Sequence, residues 1–207
     1  KICAFYSVAK KKVYLMQHVI TPHMRNLEPF AWWDGAFTEQ ELNYLQQQAM
    51  DASQDAEVGQ NGGSVVPEIR RSEVNWVEKS NQNSWVFEKL GDVAASLNAN
   101  YFGFDLFGFG ERLQLTNYHQ DKQGMYGWHQ DFGGGVSRKL SLVLQLTDPS
   151  EYEGGNLELM ISGSPLAMRK QRGLIIAFPS WALHQVTPVT RGTRQSLVAW
   201  VSGPNFK

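Results

Sequence analysis

The 207-residue sequence predicts a mainly β fold, a sandwich or jelly roll with helices packed against one sheet as a buttress. Three observations predict it. Helical periodicity is confined to the first half, apolar residues recur with period two from about Arg112 onward, and turn-forming residues punctuate that second half at short intervals.

In chain order, residues 1–12 hold Cys3 and the basic run Lys10-Lys11-Lys12, read as a solvated terminal segment. The start at Lys1 without Met suggests a trimmed or modified terminus. Thr38 followed by Glu41 forms a capping box, and Leu42, Leu45 and Ala49 then recur at helical spacing. Glu57–Ser64 is glycine-rich and reads as a mobile loop. A second helix is expected near 84–98, where Val86, Leu90, Val93, Ala94 and Leu97 share one face. Leu113/Leu115, Leu140/Leu142/Leu144/Leu146 and Leu157/Leu159/Ile161 then alternate with more polar or smaller residues. Gly173–Pro179 and Gln195–Val201 are further β-rich runs. Gly133-Gly134-Gly135, Asp148-Pro149, Gly154-Gly155, Ser162-Gly163 and Arg191-Gly192 supply the turns. Seven or eight short strands are expected, in one undivided domain without internal repeats.

Composition narrows the function classes. Hydrophobic residues make up 42% and charged residues 19%, an ordinary globular mix. A net charge of −1 gives no general field to recruit nucleic acid or an anionic membrane. Cys3 is the single cysteine, so no internal disulfide can form, in keeping with a reducing cytoplasm. No apolar run reaches the roughly 18 residues of a membrane span, and Ile2–Val8 is too short for a signal peptide.

The chemistry-bearing segment is Trp128-His129-Gln130-Asp131. On a strand, residues i and i+2 share a face, so His129 and Asp131 are expected to project together into the interior. His184 follows Phe178-Pro179-Ser180-Trp181 as a third donor. Two imidazoles and one carboxylate on one face of an octahedron leave three positions open, the arrangement of non-haem Fe(II) oxygenases. Taken singly, each of these residues also fits a core histidine, a turn cap or a strand-edge residue. Arg194, ten residues after His184, can return to the same cavity through a turn at Pro188 and Gly192. Its planar fork suits a carboxylate, and a buried cation beside a metal calls for an anion. A keto dicarboxylate satisfies both ends of such a site. Ser196, on the same strand face as Arg194, can add a hydroxyl.

The segment from Arg172 through His184 to Arg194 resembles the C-terminal half of the prolyl 4-hydroxylase-like dioxygenases, in particular the bacterial PKHD-type branch. Tyr152-Glu153-Gly154-Gly155-Asn156-Leu157 matches a strand-connecting signature of that family, and Arg70-Arg71-Ser72 with Trp76 is similar to a segment before the barrel. The resemblance implies a double-stranded β-helix over 112–203, supported by strands and helices of 1–111, within a single dioxygenase domain spanning 1–207. It implies Fe(II) held by His129, Asp131 and His184, with 2-oxoglutarate and O₂ as cosubstrates and ascorbate as reductant. It also implies Tyr118 as a 2-oxoglutarate contact and Tyr126, Arg138 and Trp200 as acceptor-side residues. The carboxylate Asp131 fills the place where related halogenases bind chloride, so hydroxylation is the expected reaction. A peptidyl proline is the expected acceptor; a free amino acid or another small molecule is the alternative. A silent β-barrel binding module and a cupin-like hydrolase or isomerase are the competing classes, which the full ligand set and Arg194-Gln195-Ser196 disfavour.

Overall fold

A computed structural model describes residues 28–51, 54–58, 63–132 and 136–205. Cys3, the Lys10–Lys12 run and the Gly133–Gly135 turn lie outside them. The elements are β1 (Ala31–Trp33), α1 (Glu39–Met50), β2 (Gln54–Asp55), β3 (Arg70–Arg71), β4 (Glu73–Val77), α2 (Ser84–Leu97), β5 (Gly108–Phe109), β6 (Leu113–His119), β7 (Met125–His129) and β8 (Arg138–Gln145). They continue with β9 (Glu153–Gly154), β10 (Leu157–Ile161), β11 (Ser164–Ala167), β12 (Ile175–Pro179), β13 (His184–Val186), β14 (Val189–Arg191) and β15 (Thr193–Ser202).

Helix α1 starts where the capping box places it. Thr38 Oγ1 accepts from the Glu41 backbone N–H, and the Thr38 N–H donates to Glu41 Oε2 at 2.8 Å. Two otherwise unpaired backbone donors are thereby satisfied, a cap of about 1 kcal/mol. Leu42, Leu45 and Ala49 of α1, with Val86, Leu90, Val93, Ala94 and Leu97 of α2, are all buried. Both helices pack on the face of an antiparallel sheet ordered β1-β12-β8-β15-β6-β4-β2, with β5 also on β15.

Strand periodicity divides that sheet into two faces. Leu113 and Leu115 of β6, Leu140, Leu142 and Leu144 of β8, and Leu197, Ala199 and Val201 of β15 point to the helices. Their alternates Val143, Ile176 and Phe178 meet Leu157, Leu159 and Val186 from a second sheet ordered β11-β10-β13-β7-β3. This two-sheet barrel with a helical buttress is the jelly roll the sequence predicts. Among the described residues no helix is long and apolar enough to cross a membrane.

One expectation needs correcting. β1, β2 and β4 extend the large sheet and β3 edges the small one, bringing the described strands above the expected seven or eight. Pieces of two to five residues leave no periodic trace of their own, because distant strands define them. The expected 57–64 loop is anchored by an antiparallel bridge between Val58 and Ser64, and residues 59–62 lie outside the described set.

Candidate metal and cosubstrate site

His129 ends β7 and His184 opens β13, and the two are directly paired across the antiparallel ladder. Their ring centroids are 4.0 Å apart. Asp131 does not lie on the strand as its spacing suggests; β7 stops at His129, and the chain bends at Asp131. The bend still delivers the carboxylate, with Oδ1 3.9 Å from His129 Nε2 and Oδ2 3.6 Å from His184 Nε2. One donor atom from each of the three lies within 4.8 Å of the others.

The rest of each ligand is fixed by neighbours. His129 Nδ1 hydrogen-bonds the Gly127 carbonyl at 2.7 Å and His184 Nδ1 that of Ala182 at 2.9 Å. A carbonyl can only accept, so each Nδ1 carries the proton and each Nε2 presents its lone pair. Ser141 Oγ donates to Asp131 Oδ2 at 2.7 Å and contacts Ser180 Oγ at 3.0 Å. Burial, reinforced by His184, pushes the His129 imidazole down to about 3, which keeps it neutral and ready to ligate. Burial alone would raise Asp131, but His184, His129 and the Ser141 hydroxyl outweigh it and hold the carboxyl below its ordinary value. Two imidazole nitrogens and a carboxylate, already converged and held by backbone and hydroxyl partners, fit Fe(II).

Arg194 lies on β15, beside Tyr118 of β6 and flanked by the paired Ser196 and Gln145 of β8. It is 1% exposed. Its guanidinium donates to Ser196 Oγ at 3.3 Å and to Gln145 Oε1 at 3.1 Å, and its centre lies 5.3 Å from the Tyr118 ring. Nε is buried without a hydrogen-bond partner, and no ion pair among the described residues includes this arginine. A buried cation contacted only by neutral groups is a site for an incoming carboxylate. Gly155 leaves room for the stem of Arg194: a Cβ there would lie 3.0 Å from Arg194 Cδ and 2.9 Å from Val189 Cγ2, at φ +57°.

The residues expected on the acceptor side line the same cleft, of about 1380 Å³. Tyr126 stacks on His129 with centroids 3.5 Å apart, and Arg70, its partner across β3–β7, lies 4.6 Å over its other side. Burial raises the Tyr126 phenol. Arg138 is not a free donor: Glu111 grips it with two 2.6 Å bonds, and its guanidinium lies 3.9 Å over the Trp200 ring. The Trp200 indole N–H makes no hydrogen bond of ordinary length, yet it is close enough to favour the Asp131 carboxylate.

Sequence reasoning passed over Ser141, Gln145 and Glu111, and gave Gly155 and Arg70 no individual role. For Ser141 and Gln145 a signal existed. They alternate with Leu140, Leu142, Leu144 and Leu146, so assigning the leucines to the helix-side core assigns the odd positions to the cleft.

Comparison with known proteins agrees with this arrangement. Residues 113–202 match the 2OG-Fe(II) oxygenase superfamily. A PKHD-type hydroxylase of Idiomarina loihiensis is 33% identical over 102 residues, 46% of each chain. One of Maricaulis maris is 32% identical over 143 residues, 68% of this chain and 64% of that protein. The chain therefore spans less than two thirds of the length of either relative. In fold it is similar to a Pseudomonas putida prolyl-4-hydroxylase, with TM-score 0.68, 19% identity, and coverage of 84% of this chain and 92% of that one. It is also similar to a Trichoplax adhaerens prolyl hydroxylase solved with a hypoxia inducible factor peptide fragment, with TM-score 0.68, 15% identity, and coverage of 96% and 93%. Over residues 113–202, then, the chain is similar to the 2OG-Fe(II) oxygenase superfamily, and over part of its length to PKHD-type hydroxylases.

Proposed function

We propose that this protein is an Fe(II)- and 2-oxoglutarate-dependent hydroxylase acting on a peptidyl proline. One observation carries the reading: Arg194, buried and without a carboxylate partner, shares a cleft with the converged donors of His129, Asp131 and His184. A site built only for a metal has no need of a buried, unneutralised guanidinium.

When bound, Fe(II) with O₂ and 2-oxoglutarate supplies the oxidation that turns a C–H bond into an alcohol, releasing succinate and CO₂. The chain's residues bind and orient. His129 and His184 ligate through Nε2, and Asp131 through its carboxylate while Ser141 holds Oδ2. Arg194 takes the distal carboxylate of 2-oxoglutarate, with Ser196 and Gln145 at the guanidinium and Tyr118 beside it. Tyr126, Arg138 and Trp200 face the acceptor, and the buried surroundings exclude water from the reacting centre. In this reading the polypeptide divides as 1–111 supporting strands and helices and 112–203 barrel, in one domain.

A peptide acceptor is supported by likeness to the Trichoplax enzyme seen with a peptide fragment. The lone Cys3 and a net charge of −1 support a cytoplasmic protein that engages neither nucleic acid nor membrane. A free amino acid is the second reading for the acceptor.

Succinate formation, assayed with Fe(II), ascorbate and 2-oxoglutarate against proline-rich peptides and free amino acids, tests it. Peptide-dependent succinate with a 16-Da gain on the acceptor is expected for insertion of one oxygen atom (roughly 16 Da). Succinate without any mass gain on proline peptides, but with gain on a free amino acid, overturns the peptidyl assignment; no succinate with any acceptor overturns the enzyme.

A further inference from the structure

Tyr152 is 3% exposed, yet it lies outside the lining of the cleft that holds Arg194 and the three metal ligands. The turn that follows it brings it against the arginine stem. Strand β9 pairs with β14, Glu153 opposite Arg191 and Gly154 opposite Val189. The Gly155 N–H donates to the Pro188 carbonyl at 3.1 Å. Gly192, two residues before Arg194, has the Glu151 carbonyl where a Cβ would stand, and Tyr152 Cα lies 3.2 Å from that point. The Cβ that Gly155 lacks would lie 3.0 Å from Arg194 Cδ and 3.4 Å from Tyr152 Cε2. One methyl-sized gap therefore separates the arginine stem from the edge of the phenol ring. Glycine at 155, with φ +57°, lets the two approach.

A second cation fixes the ring. Lys170, half-buried in the segment between β11 and β12, has Nζ 4.6 Å from the centre of the Tyr152 ring and donates to the Gly154 carbonyl at 2.5 Å. An ammonium over an aromatic face is attracted to it, and the bond to Gly154 ties the same side chain to the turn. Arg194 acts on both groups. Burial raises the Tyr152 phenol, while the Arg194 guanidinium works to lower it. Burial lowers the Lys170 ammonium, and Arg194 acts in the same direction against Glu153. Arg194 is in no ion pair among the described residues, so two cations share this end of the site across one phenol ring. An incoming carboxylate relieves their repulsion, and a guanidinium already fixed in place loses less freedom in binding it.

We propose that Tyr152 and Lys170 are positioning residues for Arg194: Lys170 pins the Tyr152 ring to the Gly154-Gly155 turn, the ring fixes the arginine, and the pair makes the site select a keto acid with a second carboxylate. This inference rests on the reading of Arg194 as the anchor of 2-oxoglutarate. Calorimetric titration of the Mn(II)-loaded protein with 2-oxoglutarate, and separately with oxalate, tests it without turnover. Oxalate chelates a metal but carries no distal carboxylate. Tyr152→Phe keeps the ring and removes the phenol oxygen beside the guanidinium. It should raise the Kd for 2-oxoglutarate about threefold, the size of one neutral hydrogen bond. Lys170→Met should also raise it about threefold, the order of one cation–π contact, and Lys170→Arg should restore most of the affinity. Oxalate should bind the unsubstituted protein and all three variants alike. A 2-oxoglutarate Kd unchanged in both Tyr152→Phe and Lys170→Met, or a parallel loss of oxalate binding, overturns the inference and leaves the hydroxylase reading standing. Absence of 2-oxoglutarate binding in the unsubstituted protein, with oxalate still bound, overturns that reading and the inference with it.

Discussion

His129 and His184 sit directly opposite each other on β7 and β13, so the imidazoles are brought together by strand register rather than by a loop. Both side chains are oriented from behind, through Nδ1, by a carbonyl two residues earlier in their own strand or the turn before it. A metal bound between them is held by the ladder itself.

His184→Ala should therefore remove the metal along with turnover. Wild-type protein titrated with Fe(II) under anaerobic conditions should take one equivalent, and the variant none at the same concentration. A variant that turns over normally would exclude His184 from the ligand set.

Arg194→Ala leaves a pocket without its cation. The apparent KM for 2-oxoglutarate should rise by the equivalent of roughly 2–5 kcal/mol, the range for truncating one partner of a buried charge pair. Removing the distal carboxylate from the cosubstrate should produce a comparable loss in wild-type protein. An unchanged KM would take Arg194 out of the cosubstrate site.

Gly155→Ala tests the same pocket through the stem of Arg194. The new methyl would press on Arg194 Cδ and Val189 at a left-handed φ, displacing the guanidinium without altering its charge. KM for 2-oxoglutarate should rise by less than in Arg194→Ala, about tenfold, while metal content stays near wild type, because the ligands lie on β7, in the bend after it and on β13. Loss of metal in a folded Gly155→Ala protein would contradict this separation.

Arg138→Ala and Trp200→Ala should weaken or uncouple hydroxylation more than metal binding. Arg138 holds the Trp200 ring and reaches the Asp131 carbonyl at 3.4 Å, but it donates to no metal-ligating atom. Acceptor KM should rise and succinate should exceed hydroxylated product, with 2-oxoglutarate decarboxylation surviving without acceptor. Parallel loss of folding and metal would make the two residues structural.

Acid should destabilise the metal-free protein in a definite window. Folded His129 stays neutral down to about 3, whereas an unfolded imidazole takes up its proton near 6.5. Between those values the unfolded state binds more protons, so stability is intact above the upper value and is lost as pH falls toward the lower one. The contribution is at most one proton, or about 1.4 kcal/mol per pH unit. His129→Asn should flatten the dependence of the urea midpoint on pH across that window. An equal slope in both proteins would place the acid sensitivity elsewhere.

Sequence alone determined the features whose cause is local or periodic. The Thr38–Glu41 box and the recurrence of Leu42, Leu45 and Ala49 place α1, because a helix start is written within four residues. Alternating leucines place β6, β8 and β10, because a strand with one face in a core must alternate. The H-x-D pair, His184 and R-x-S were conspicuous because their residue types are poorly explained by a β core. Tertiary structure alone decided what those residues meet. That His129 is the cross-strand partner of His184, that Gln145 meets Arg194, and that Glu111 occupies Arg138 are all consequences of register between strands far apart in the chain. So is the role of Arg70, on a two-residue strand that exists because β7 pairs with it. Even Asp131 reaches its place by a bend after the strand rather than by the period-two rule that singled it out. Periodicity names the face a side chain occupies; the neighbour on that face is set by pairing across the sheet, which no local stretch of sequence contains.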